Sequence, residues 1–74
     1  MVTVIILIQS RAGSPWNATK EIEQIEHVKM AHTVTGPYDI VVYAELPAAN
    51  ALRELTKAIH AIEGVERTET CIAM

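Results

Sequence analysis

The stretch Thr33-Val34-Thr35-Gly36-Pro37-Tyr38-Asp39 gathers a carboxylate, a phenol and two hydroxyls at one turn of a chain that is half apolar. These groups match the needs of a small zwitterion. Asp39 can accept from an ammonium. Threonine hydroxyls and free backbone N–H groups at a turn or strand edge can donate to a carboxylate. Pro37 has no N–H to offer. Each member also has a plain structural use: Gly36 and Pro37 make a turn, Asp39 can bond a backbone N–H beside it, and threonine is common in strands.

Other chemistries find less footing. His27 and His32 lie five positions apart in what reads as a strand, which turns them to opposite faces, and His60 falls in a helix. Cys71 is the only cysteine, so no disulfide can form within the chain, and no Cys or His stands at zinc-ligand spacing from it. Glu21, Glu23 and Glu26 form a wet helix face, while Glu66 and Glu69 have opposite strand parity, which argues against a paired-carboxylate acid–base site. No nucleophile stands beside a base. The expectation is a protein with no metal, no cofactor and no enzymatic activity.

The elements that must position the turn follow from periodicity. Met1–Ser10 reads as a strand apolar on both parities, with Val2, Val4, Ile6 and Ile8 on one side and Ile5 and Leu7 on the other. Such a strand is central and covered on both faces. Ser14-Pro15 fits a helix N-cap and first helical position, and the helix runs to about Glu26 with Ala18, Ile22 and Ile25 as its apolar stripe. Residues 27–46 read as a β-hairpin around Gly36-Pro37; its second strand, Ile40–Leu46, is again apolar on both parities. A second helix runs from Pro47-Ala48-Ala49-Asn50 to about Glu63, with Leu52, Leu55, Ile59 and Ile62 at the helical core period. Gly64 stops it, and Val65–Met74 is a mixed, edge-like strand. The order β-α-β-β-α-β is the ferredoxin-like pattern, an α+β fold with a four-stranded antiparallel sheet. Right-handed crossovers put both helices on one face. The other face, carrying Ile5 or Ile6 and Val41 or Val42, is left as an apolar patch that marks an interaction surface. Two such sheets are expected to pack face to face.

Composition bounds the rest. A chain of 74 residues is a single domain, 1–74, marginal on its own, and such scaffolds use a disulfide, a metal or oligomerisation as a staple; here oligomerisation remains. The net charge of −3, with six scattered Lys and Arg, argues against direct contact with nucleic acid. The apolar run Val2–Ile8 is too short to cross a membrane and has no basic residues before it. A cytoplasmic protein is expected.

Three pieces of the chain carry a resemblance. Val28 followed by Thr35-Gly36-Pro37-Tyr38-Asp39 fits a strand and a Gly-x-Tyr/Phe-Asp turn. Ile62-Glu63-Gly64-Val65 fits a helix-end Gly-Val, and Thr68-Glu69-Thr70-Cys71-Ile72 a Thr-x-Thr strand. In this order and topology the chain resembles the effector-binding (RAM) domain of the Lrp/AsnC, or feast/famine, transcriptional regulators over nearly its whole length. It is similar to members that stand alone, without a DNA-binding domain. The resemblance implies a sheet-to-sheet homodimer that assembles to an octamer or decamer and binds a small-molecule effector, usually an amino acid, between dimers. It also implies possible co-assembly with full-length Lrp/AsnC regulators. Carried over, the ligand site is Thr33, Thr35, Gly36, Tyr38 and Asp39 with Thr68 and Thr70, and Ile72 on its apolar wall.

Two other functions compete. A small dimeric α+β barrel enzyme, of monooxygenase or isomerase type, would use His32, Tyr43 and Glu45 in a cavity. An RNA-recognition module needs exposed aromatics on the central strands, and Tyr43 alone does not supply them.

Overall fold

The structure, a computed structural model, describes residues 1–11 and 15–74. Strand β1 (Val2–Ser10) is followed by helix α1 (Pro15–Glu23), the hairpin strands β2 (Val28–Thr33) and β3 (Ile40–Leu46), helix α2 (Leu52–His60) with a 3-10 turn at Ala49–Ala51 before it, and strand β4 (Val65–Ile72). The strands form a four-stranded sheet in the order β2-β3-β1-β4, each neighbouring pair antiparallel. The doubly apolar strands β1 and β3 are the central ones. The expected N-cap, Ser14, lies outside the described residues.

Register decides which parity faces the helices. Val4, Ile6 and Ile8 of β1, Ile40, Val42, Ala44 and Leu46 of β3 and Ala31 of β2 are buried under Ala18 and Ile22 of α1 and Leu55 and Ile59 of α2. Directly opposed residues in an antiparallel pair share a face. Ile5 therefore stands with Tyr43 and Cys71 on the other face, and Leu7 with Val41 and Glu69. Met30 and His32 join this open face through their pairing with Tyr43 and Val41.

Both helices end earlier than their apolar period implies, at Glu23 and His60 rather than near Glu26 and Glu63. The cause is shared. Gln24 and Ile25 donate to Glu21 and Ile22, and Ile62 donates to Ile59; these three-residue bonds tighten the helix end into a turn. The residue before each following strand then takes a positive φ, His27 at 77° and Gly64 at 98°. His27 thus does in the first crossover what Gly64 does in the second, and it belongs to the turn rather than to β2. A side chain with a Cβ is strained there by about 1–2 kcal/mol, less the extra chain entropy that glycine loses on folding. His27→Gly should raise the melting temperature by a few degrees, measured by circular dichroism.

Candidate functional site

The Gly36 corner is built by β1 rather than by the hairpin alone. Ser10 N–H donates to the Asp39 carboxylate (Oδ2) at 2.8 Å, Asp39 N–H donates to the Ile8 carbonyl at 2.8 Å, and Gln9 Nε2 donates to the Pro37 carbonyl at 2.9 Å. Within the loop, Val34 N–H donates to the Asp39 carbonyl at 2.8 Å. Gly36 holds φ at 133°, and an added Cβ would meet nothing within 4 Å, so backbone angle and not crowding makes this position glycine. One Asp39 oxygen is therefore already engaged in fixing the loop. Asp39→Ala removes a charged acceptor from a backbone donor, which costs about 1.5–3 kcal/mol; a lowered melting temperature without ligand checks this.

Thr33 is turned toward α1. Its hydroxyl lies 2.8 Å from that of Thr19, which is buried and donates to the Pro15 carbonyl at 2.9 Å. Thr19 has one proton, so Thr33 is the donor between them. Thr35 and Gly36 are exposed, and Tyr38 and Asp39 half-buried. Thr19 and Gln9 were not among the sequence candidates. Thr19 was visible in principle, lying between Ala18 and Ile22 on the inner stripe of α1.

Thr68 and Thr70 lie on the opposite edge of the sheet. They pair with Ile8 and Ile6, which places them on the helix side of β4. Thr68 Oγ1 is 3.1 Å from His60 Nε2 in the last turn of α2, a partner the sequence does not reveal. Three strand spacings separate β2 from β4, roughly 14 Å. Among the sequence-predicted residues, Thr33 on β2 is thus held apart from Thr68 and Thr70 on β4, whereas Asp39 is bonded to β1, the strand that pairs with β4.

The residues of the alternative enzyme reading gather differently. Tyr43 OH donates to Glu45 Oε2 at 3.4 Å, and His32 is exposed on the same open face. Neither of two clefts, of about 450 and 300 Å³, is lined by any of these three. Among the described residues, no group of three or more His, Cys, Asp or Glu could hold a metal ion, and no helix is long and apolar enough to cross a membrane.

Comparison with known proteins decides the family. The profile described as "Lrp/AsnC ligand binding domain" matches residues 3–74. The chain belongs to the Lrp/AsnC ligand-binding domains. A helix-turn-helix-type transcriptional regulator of Pyrococcus furiosus, itself uncharacterized, is 30% identical over 73 residues, which is 99% of this chain and 49% of the regulator. A crystal structure of a Thermus thermophilus protein superposes with a TM-score of 0.95 at 36% identity, covering all of this chain and 94% of that one. Escherichia coli AsnC superposes with a TM-score of 0.82 at 27% identity, covering 99% of this chain and 50% of AsnC. This Lrp/AsnC domain spans about half the length of the curated relatives it matches. It is a ligand-binding domain of a regulator family, with the βαββαβ order of its relatives.

Proposed function

We propose that this chain is an effector-binding regulatory module that binds an amino acid at a site completed between subunits of a ring-shaped homo-oligomer. The observation that carries this is the separation of threonines on opposite edges of the sheet. Thr33 lies on the edge strand β2, with Thr35 just beyond it, and Thr68 and Thr70 on the opposite edge strand β4, so a ligand that touches threonines of both edges needs a second copy. The open sheet face supports the assembly. Ile5 is 38% exposed and Met30 50% exposed, beside half-buried Leu7, Val41 and Tyr43. Face-to-face packing of two sheets covers this patch, and dimers then join to an octamer or decamer. The module acts in the cytoplasm by sensing the effector and, in this reading, by associating with full-length Lrp/AsnC regulators.

The test is a melting scan against the twenty amino acids, run beside light scattering. An effector at about 100 times its Kd adds about 2.7 kcal/mol, or roughly 4–8 °C for each kcal/mol in a domain of this size. A stable monomer at micromolar concentration, or no shift with any amino acid, sinks the proposal.

A further inference from the structure

Two features of the helix side have no partner within the subunit. The first is Trp16, the only tryptophan of the chain, which is 67% exposed at the start of α1. Lys20, also exposed, stands four residues on, about 6 Å along the axis and on the same side of the helix. Glu23 lies a further turn away, so the charge beside the indole is that of Lys20.

The second is a cleft of about 300 Å³ between the turn that ends α1 and one side of α2. Its floor is apolar: Leu55 is buried, and Ile25, Ala51 and Ala58 are half-buried. Glu26, His27 and Glu54 complete the lining, and no Lys or Arg joins them. Ala51 and Ala58 lie two turns apart on one side of α2, and neither has a side chain beyond Cβ to fill the space. Among the described residues the one ion pair joins Arg11 to Glu66, which leaves Lys20, Glu26 and Glu54 without ionic partners. An apolar ring beside a cation thus stands at one end of α1, and an apolar cleft beside carboxylates at the other.

We infer that Trp16 of one copy enters the cleft of a copy in the next dimer, with Lys20 set against Glu54 and Glu26. The inference rests on the homo-oligomer reading above and deepens it by naming a contact that joins dimers. Knob and cleft are different surfaces of one molecule, so the contact is heterologous and can repeat around a ring. It lies on the helix side, away from the open sheet face. An indole buries about 150–250 Å², well short of the roughly 1,200 Å² of a stable interface, so the contact does not hold two lone subunits together. A face-to-face dimer presents two knobs and two clefts, and linked contacts reinforce one another.

Intrinsic fluorescence reports on Trp16 alone, because the chain has no other tryptophan. In the assembled parent at micromolar concentration its emission should lie to the blue of the urea-unfolded chain, and acrylamide should quench it severalfold less. Glu54→Lys, which reverses a carboxylate of the cleft, and Ala58→Gln, which fills its floor, should shift that emission to the red and cut the mass by light scattering to that of a dimer. Trp16→Ala should cut the mass in the same way. All three positions lie outside the buried core, and an unchanged far-ultraviolet spectrum checks that each variant folds. Ring mass kept by both cleft variants overturns the inference and leaves the ring reading standing, as does an indole quenched as freely in the assembled parent as in the unfolded chain. A parent no larger than a dimer removes the ring and the inference with it.

Discussion

Ile6→Ala should cost the fold about 2–5 kcal/mol, the range for removing a buried isoleucine side chain down to Cβ. Ile6 is 0% exposed on a central strand, between Val42 on β3 and Thr70 on β4. The void cannot collapse readily, because Ile6 lies in a sheet strand hydrogen-bonded on both sides beneath two helices that each bury their own residues, Ile22 and Ile59, in the same core. A chain of 74 residues has a total stability of about 4–11 kcal/mol at the usual value per residue. The loss is therefore a large part of the whole. The melting temperature should fall by at least about 10 °C, with the denaturant midpoint falling and its slope unchanged. Ile6→Val should cost only about 0.5–1.5 kcal/mol. A melting temperature for Ile6→Ala within two or so degrees of the parent would show that Ile6 is not in the core.

That Ile6 and not Ile5 carries this weight was only half legible in the sequence. The two neighbours are the same residue type, and a strand apolar on both parities does not announce which face the helices take. Pairing with β3 and β4 assigns it. The strand order was legible because mixed residues such as Lys29, His32, Arg67 and Glu69 fall on β2 and β4 and the unbroken apolar runs on β1 and β3. Helix ends were not, because the apolar period continues through Ile25 and Ile62, which still pack against the core from the turns after α1 and α2. The same holds at the candidate site. Its motif residues are conspicuous in the sequence, but their partners are remote. Asp39 is held by Ser10, Thr33 by Thr19, and Thr68 by His60, across separations of 29, 14 and 8 residues. Residue type shows what a group can do, and only the fold shows what already occupies it.

Ile5→Asp should leave the subunit folded and dissolve the proposed assembly. Ile5 sits one residue from Ile6 but on the open face, 38% exposed, between Tyr43 and Cys71. In an isolated subunit an aspartate there keeps its water and the core is untouched, so the far-ultraviolet spectrum stays that of the parent. In a face-to-face dimer the same position is covered, and a two-fold axis buries it twice. An uncompensated charge in a covered site costs several kcal/mol after relaxation. Two copies at only about 2 kcal/mol each would raise the dimer Kd by nearly a thousandfold. The side chains beside Ile5 offer no rescue, Arg67 lying beyond Glu69 on β4 and His32 beyond Val41 on β2. Leu7 and Val41 are apolar, Glu69 repels, and Tyr43 already donates toward Glu45. Sedimentation at micromolar concentration should therefore show the variant at subunit mass. In the proposed assembly the dimer is the unit from which the ring is built, so the amino-acid-induced stabilisation proposed above should vanish with it, even though every polar residue of the candidate site is intact. Retention of the parent's oligomeric mass by Ile5→Asp would place the subunit contact elsewhere on the molecule and leave the open face unexplained.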